Sequence, residues 1–453
     1  MNQPRNPAKP ASMKKHVRTL LILSGAIIVV ALAYTYFSIK SASDRVEFER
    51  QIIMEPEENV AFDDSQSLTR SEDQNAFTYI SKLADKIDQF DQDILQVDYP
   101  KTGYRLTKSQ IEELGEAVDS HSDFFSSMEQ ASRCSHFQSD FNPADGFSAT
   151  VPHLRHLQSL WRGMSRKAVI EAYRGNADEG LRLCGVILQL TKLTGNEPLL
   201  ISQLTSVAGQ RAAIATAHHV FQIAKASPEA CSRFDKLLSE IDVFHSLENA
   251  IKGERSMGII HFQQLRDGTL DSTTYSESIS PPSLGRNWLT EAYLNDDEAA
   301  YLRSIRLQLE VLQETKRIRD AATQSVFDEI TQSDTRFIIT KLILPSLSAA
   351  ADAADQLEAE SRCLRILMQM QSTGEDAIEN LSLADDITND PFTGADLKIS
   401  QTPEGLVIYS VGQNLTDDGG SVLPTESARP LDVGFGPLKD PASDDAPPEQ
   451  PAQ

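Results

Sequence analysis

The chain contains few of the residues that build disulfide and zinc sites. It has 453 residues but only four cysteines and two tryptophans. The cysteines are Cys134, Cys184, Cys231 and Cys363, which are widely spaced and form no Cys-x-x-Cys pair of the kind that binds zinc. Cys184 and Cys363 fall within helical patterns. The sequence therefore favours buried free thiols, with one disulfide as the alternative.

Short catalytic motifs are also absent from the sequence. It has no Gly-x-Ser-x-Gly elbow, no cysteine with a recognisable catalytic signature and no glycine loop that could cradle a phosphate. Adjacent acids such as Asp296-Asp297 are interpreted as solvated surface pairs, because the chain has 66 acids. The sequence thus predicts no enzymatic activity.

Basic residues are fewer than acidic residues. The chain has 42 Lys and Arg against 66 Asp and Glu, a net charge of −24. Six of the basic residues lie in residues 1–40, which contain no acid, so the rest of the chain is more acidic still. An acidic surface repels phosphate backbones, and the sequence therefore predicts no nucleic-acid partner.

One long apolar run stands out, LLILSGAIIVVALAYTYF from Leu20 to Phe37. Its length is near the lower limit for a helix that spans a bilayer, and basic residues precede it. This pattern predicts a single-pass protein of the inner (cytoplasmic) membrane, with its N-terminus in the cytoplasm and its bulk outside. The alternative is a signal peptide cleaved after Ala33, because Ala31-Leu32-Ala33 has the small-x-small form.

The chain after the apolar run is mainly helical by pattern. Apolar residues recur at three- and four-residue spacing over 154–172 and 181–191, and Gly175-Asn176 supplies a helix stop between them. This predicts an antiparallel bundle or a short TPR-like solenoid, although no second copy of the hairpin occurs at the period of a repeat array. The predicted segments are a basic stub (1–19), an anchor (20–39), a stalk (40–75), a helical domain (76–371), a small β module (372–436) and a disordered acidic tail (437–453).

The β module is predicted from a change of periodicity. Apolar residues alternate at Leu397 and Ile399 and again over 406–411, and Thr402-Pro403-Glu404-Gly405 forms a turn signal between them. We expect a small antiparallel sheet that packs on the long helix predicted after Pro345.

The same region carries a family resemblance. The segment DPFTGADLKISQTPEGLVIYSVGQNLTDDGG, together with PEENVAF and NEPLLISQL, resembles sequences of uncharacterised single-pass helical proteins of planctomycete-type bacteria. The terminal module is also distantly similar to that of type II secretion major pseudopilins, although the acid of the pseudopilin apolar helix is absent here. The first resemblance implies no activity, and the second implies a loop that holds calcium.

The residues that fit a calcium site are Asn414, Asp417 and Asp418. Calcium prefers six to eight oxygen ligands, and Gly419-Gly420 would let the backbone fold closely around the ion. The alternative is an Asp/Gly-rich turn without metal, because the full ligand series of an EF-hand is lacking. A metal pair at His153 and His156 is less favoured still, since no third ligand accompanies it.

These features predict a membrane-anchored extracytoplasmic scaffold that binds a protein of the cell envelope. Two alternatives remain open. One is an accessory component of a type II secretion or pilus-like system, and the other is an extracytoplasmic hydrolase whose residues meet only in the folded chain.

Overall fold

A computed structural model describes residues 30, 33–52, 71–100, 102–269, 288–333, 336–373, 385–424 and 430–441. These residues are mainly helical, with one small antiparallel sheet, as the sequence predicts. The helices are α1 (33–52), α2 (Ala76–Ser81), α3 (Ile87–Phe90), α4 (Lys108–Asp119), α5 (Ser122–Ser132), α6 (His153–Tyr173), α7 (Ala177–Thr194), α8 (Leu200–Ile223), α9 (Pro228–Ser239), α10 (Val243–Asp267), α11 (Trp288–Glu310), α12 (Lys316–Thr331), α13 (Ile338–Thr373) and α14 (Asp385–Thr388). The strands are β1 (Lys398–Thr402), β2 (Gly405–Ser410) and β3 (Val433–Phe435).

The predicted membrane anchor is corrected by the structure. Within the described residues, no helix is long and apolar enough to cross a membrane. Helix α1 begins inside the predicted span Leu20–Phe37, but it continues through six charged side chains between Lys40 and Arg50. The first part of that span lies outside the described residues. The transmembrane helix in the predicted fold class, the single-pass topology and the inner-membrane location are therefore not supported.

The chain divides into two compact units. Unit 1 is drawn from Met1–Asn59, Phe262–Arg303 and Ile330–Lys341, and unit 2 from Val60–His261, Ser304–Glu329 and Leu342–Gln453. The segment boundaries predicted from the sequence stay a prediction.

Unit 1 has an ionic interior. Asp297 is fully buried, which corrects the interpretation of Asp296-Asp297 as a solvated surface pair, and the neighbouring Glu298 is fully buried too. The Asp297 carboxylate accepts hydrogen bonds from the Ile339 and Thr340 amides at 3.0 and 3.1 Å, and so caps the first turn of α13. Glu298 accepts two hydrogen bonds from the Arg50 guanidinium at 2.8 and 2.9 Å. Buried acids in this unit are thus satisfied by helix amides and arginine.

The centre of unit 2 is a bundle of α6, α7 and α8. Gly175 takes a φ of 85° between α6 and α7, as the helix stop in the sequence predicts. The three helices pack closely because small residues lie where they meet. A Cβ on Gly209 of α8 would lie 2.5 Å from a Thr191 methyl on α7 and 2.8 Å from the Trp161 ring on α6.

The sheet belongs to unit 2, and its order is β1-β2-β3. Thr402 pairs with Gly405 across the predicted hairpin turn, and Ile408 pairs with Phe435 on the other side. Strand β2 is buried on both faces from Val407 to Ser410, so its side chains do not alternate between a buried and an exposed face there. Ile408 is fully buried.

The sheet is fixed to the helices through the Asp390-Pro391-Phe392 turn. The Asp390 carboxylate accepts hydrogen bonds from the Ser410 hydroxyl at 2.8 Å, the Val411 amide at 3.2 Å and the Phe392 amide at 2.9 Å. The Phe392 ring is fully buried in a cluster with Ala359 of α13 and Val433 of β3. The sheet therefore packs on the long helix, as predicted, although α13 runs through Pro345 and does not begin after it.

The end of the described chain is also ordered. The Lys439 carbonyl accepts a hydrogen bond from the Arg105 amide, and the Lys439 amide donates to the Gly103 carbonyl, each at 2.8 Å. Lys439 therefore lies in ordered chain within the segment predicted as a disordered tail. Residues 442–453 of that segment lie outside the described residues.

Candidate functional site

The three residues proposed for calcium lie in one turn after β2. The Asn414 amide nitrogen donates to an Asp418 carboxylate oxygen at 2.8 Å. The Asp417 carboxylate accepts hydrogen bonds from the Tyr409 hydroxyl and the Gly419 amide, both at 3.0 Å. The Gly419 amide and the Tyr409 hydroxyl both hold the pKa of Asp417 below its usual range. Each proposed ligand therefore already hydrogen-bonds within the module.

A further acid, which the sequence did not single out, organises this turn. The buried Asp432 carboxylate accepts hydrogen bonds from the Gly420 and Ser421 amides at 2.8 and 2.9 Å. In the part of the chain that the structure describes, no group of three or more His, Cys, Asp or Glu side chains could hold a metal ion. The geometry is that of a turn closed by its own hydrogen bonds, and calcium binding by Asn414, Asp417 and Asp418 stays a prediction.

His153 and His156 do not form a metal pair in the structure. His153 is buried, and its Nε2 lies 3.4 Å from a Glu197 carboxylate oxygen. Burial raises the pKa of Glu197, but hydrogen bonds from His153, Ser139 and Ser202 outweigh burial, and the pKa is lowered overall. Both hydroxyls donate to the glutamate and not to the imidazole, so this group is a buried polar cluster centred on Glu197 and not a nucleophile with its base.

The four cysteines are free thiols. Cys184 and Cys363 are buried, and Cys134 and Cys231 are half-buried. Burial raises the pKa of all four thiols, which keeps them protonated and unreactive near neutral pH.

A cavity in unit 2 is the strongest candidate for a functional site. Its volume is about 1020 Å³, within the range of small-molecule sites. Helices α6 and α8 form one wall, α13 contributes Gln356 and Glu360, and residues 430–436 cover it from the sheet. Tyr99 and residues 102–104 complete the lining. The site thus combines helices and the terminal module, and its parts are far apart in the sequence.

The long wall of the cavity has two distinguishable ends. Gly209 faces Trp161, and the His219 ring contacts the Tyr173 ring with centroids 6.2 Å apart, so α6 and α8 run in the same direction. Arg162 and Arg166 therefore lie at one end of the wall and His218 and His219 at the other. At 1.5 Å per helical residue the two ends are about 10–15 Å apart.

Most charges in the cavity have partners. Arg211 forms a two-pronged ion pair with Glu360 at 2.8 and 3.0 Å. The Arg166 guanidinium lies over the Tyr99 ring, 4.9 Å from its centroid, and donates to the Leu95 carbonyl at 3.3 Å. Among the described residues, no acid forms an ion pair with Arg162 or Arg166. The arginine end therefore carries excess positive charge.

The histidine end holds buried nitrogen atoms that lack hydrogen-bond partners. His218 and His219 are 7% and 9% exposed, and within the described residues neither Nε2 has a partner. The Ser165 hydroxyl, on the α6 wall, is unpartnered in the same way. Unpaired buried polar atoms are costly and rare in native proteins, so these three indicate a ligand or water in the cavity.

Both imidazoles are neutral in the folded chain. The pKa of His218 is lowered to about 3, mainly by burial and also by the neighbouring His219, while a hydrogen bond to the Gly436 carbonyl acts in the opposite direction. Burial, assisted by the positive charge of Arg105, lowers the pKa of His219 to about 4. If the Gly436 carbonyl accepts the Nδ1 proton of His218, its Nε2 is left as a hydrogen-bond acceptor. The Phe435 ring stacks on His218 with centroids 4.6 Å apart.

Comparison of the chain with protein-family models, with curated proteins and with solved structures gives no match. The function is therefore inferred from the residues of the site. Sequence reasoning did not find the cavity, because adjacent histidines on a helix point to different faces and no local pattern shows that both are buried.

Proposed function

We propose that this chain is a binding protein whose helical scaffold holds a small ligand in the cavity of unit 2. The observation that carries the proposal is the set of buried, unpartnered polar atoms on the cavity wall, contributed by Ser165, His218 and His219. A cavity of this volume, whose lining combines apolar side chains with polar and charged ones, is large enough to hold a small ligand.

Binding is favoured over catalysis by the arrangement of the lining. The Arg211–Glu360 pair is mutually satisfied, and the Asp432 carboxylate is occupied by backbone amides. In the described part of the cavity, no serine, threonine or cysteine is hydrogen-bonded to a histidine or acid that could act as its base. The proposed role keeps the predicted scaffold and replaces its protein partner by a small ligand.

The test is a cavity-filling substitution combined with a ligand screen. Ala212 on α8 lines the cavity, and Ala212→Phe would occupy part of its volume. Thermal-shift measurements on the full chain with a small-molecule library should yield compounds that raise the Tm of the wild type. A ligand at 100 times its Kd stabilises by about 2.7 kcal/mol. The variant should lose this shift.

Ala322→Phe is the matched control, because Ala322 is an exposed residue of α12 and does not line the cavity. This variant should respond to the same compounds as the wild type. Equal shifts in Ala212→Phe and the wild type would show that the compounds bind elsewhere, and the proposed function would then be wrong.

A further inference from the structure

We infer that the cavity of unit 2 takes an amphipathic anion, with its acidic group between Arg162 and Arg166 and its apolar body along the α6–α8 wall. This inference rests on the proposed function, and it adds the chemical class and the orientation of the ligand. It is argued from the charge at the arginine end, the apolar middle of the wall and the acceptor at the histidine end.

Two cations at the arginine end share one face of α6. Arg162 and Arg166 are four residues apart, so their side chains are neighbours on the helix, and like charges at this spacing repel. Both line the cavity. Arg166 is held by the Tyr99 ring and the Leu95 carbonyl, which do not neutralise it. An anionic group between the two guanidiniums would relieve this repulsion.

The anions of the cavity are committed elsewhere. Glu360 is paired with Arg211, and the Asp432 carboxylate accepts hydrogen bonds from the Gly420 and Ser421 amides. Neither carboxylate is therefore free to neutralise the arginine end. The protein has a net charge of −24 and repels anions over most of its surface, whereas Arg162, which is exposed, and Arg166, which is half-buried, would attract an anion to this end of the cavity.

The middle of the wall is apolar. Val169 of α6 and Ala212 and Ala215 of α8 line it, and Val433 and Phe435 of the sheet face the same space. This stretch offers no charge to a ligand. It suits a hydrocarbon or ring body about 10–15 Å long, the distance that separates the arginines from the histidines.

The far end favours a ligand that ends in a hydrogen-bond donor. The His218 Nε2 is buried, unpartnered among the described residues and neutral. A hydroxyl or amide N–H at the far end of the ligand would satisfy it.

The experiment uses three probes with the same ten-carbon chain: decanoate, decan-1-ol and decyltrimethylammonium. Isothermal titration calorimetry on the full chain at pH 7.5 should give decanoate a Kd at least tenfold lower than that of decanol, with the cation weakest. Arg162→Gln should remove the difference between decanoate and decanol. Arg133→Gln removes an exposed arginine of the α5 C-cap outside the cavity, and it should leave the difference intact.

The outcomes separate the two proposals. Equal affinity for decanoate and decanol, preference for the cation, or no measurable binding of decanoate would overturn the anion inference. If Ala212→Phe abolishes decanol binding while the two Kd values were equal in the wild type, the cavity binds ligands and only the inferred class is wrong. If Ala212→Phe leaves every Kd unchanged, the probes do not occupy the cavity and both proposals are wrong.

Discussion

At the residue scale, single buried carboxylates organise the terminal module. Asp390 joins the Phe392 turn to the end of β2 through three hydrogen bonds, and Asp432 closes the turn that contains Gly420. In the sequence, Asp390 stands out only as part of the segment that resembles other proteins. The structure explains why an aspartate is suited to this position: its short carboxylate accepts hydrogen bonds from amides of two chain segments.

We predict that Asp390→Ala lowers the free energy of unfolding by about 3 kcal/mol. The substitution leaves the buried amides of Phe392 and Val411 and the Ser410 hydroxyl without their acceptor, and each lost partner costs about 1–3 kcal/mol. Urea denaturation followed by circular dichroism measures the change. Asp396→Ala, in an exposed position of the same loop, should change it by less than about 0.5 kcal/mol. A similar loss in both variants would contradict the role of Asp390.

The two cavity histidines predict a loss of stability in acid. Their folded pKa values, about 3 for His218 and about 4 for His219, lie below that of a histidine in an unfolded chain. Above pH 6.5 both states are neutral and stability is unaffected. Below pH 6.5 the histidines of the unfolded chain bind protons, whereas those of the folded chain do not. The free energy of unfolding therefore falls as the pH is lowered from 6.5 to the folded pKa, by about 1.4 kcal/mol per pH unit for each histidine.

We predict that His218→Gln removes one of these contributions, roughly 3 kcal/mol between pH 6.5 and 4.5. Burial raises the pKa of Glu254 and of Asp355 to about 7, and these acids act in the opposite direction. The measurement is therefore the difference between variant and wild-type unfolding free energies across this range. An unchanged pH slope in His218→Gln, repeated with His218→Asn, would contradict the prediction.

At the scale of elements, the helices and strands that could be predicted are those marked by a local sequence signal, such as a glycine at a turn. The α6–α7 link and the β1–β2 turn were predicted because Gly175 and Gly405 adopt the positive φ that each position needs. Strand β3 was missed, because three residues around Gly434 show no alternation. The continuous α13 was missed because Pro345 usually ends a helix, although here the helix passes through it.

We predict that Gly434→Ala separates β3 from β2. A Cβ on Gly434 would lie 2.1 Å from the Ile408 carbonyl oxygen and 2.7 Å from the Tyr409 Cα, both backbone atoms that cannot turn aside. We expect a loss of about 3 kcal/mol in thermal or urea unfolding. Gly419→Ala is the control, since nothing lies within 4 Å of its added Cβ and only its φ of 75° is strained, which costs about 1 kcal/mol. Equal losses would show that the strand contact is looser than described.

At the scale of the molecule, the candidate site could not have been predicted from the sequence. Its wall combines Arg162, His218 and Glu360 from three helices with Phe435 from the sheet. Which faces of those helices meet depends on tertiary packing, and no sequence motif records it. The predicted calcium residues were found by composition and lie together in one turn, but composition did not indicate the cavity.

We predict that the chain shortened after Pro437 is less stable than the chain shortened after Pro441. The first loses the Arg105 and Gly103 backbone hydrogen bonds to Lys439, and the second keeps them. At about 1 kcal/mol for each hydrogen bond, the difference should be about 2 kcal/mol in the free energy of unfolding. Identical unfolding curves would mean that the Lys439 pairing does not stabilise unit 2.

The pairing of Lys439 with Tyr104 also has a consequence for how the protein is made. The two residues are far apart in the sequence, and closing a loop of this length is slow. Residues 438–440 leave the ribosome only after all the helices of the unit have been synthesised. The cavity wall therefore stays incomplete, with its apolar side exposed, until these residues have been synthesised, and a nascent chain that ends before them cannot close it.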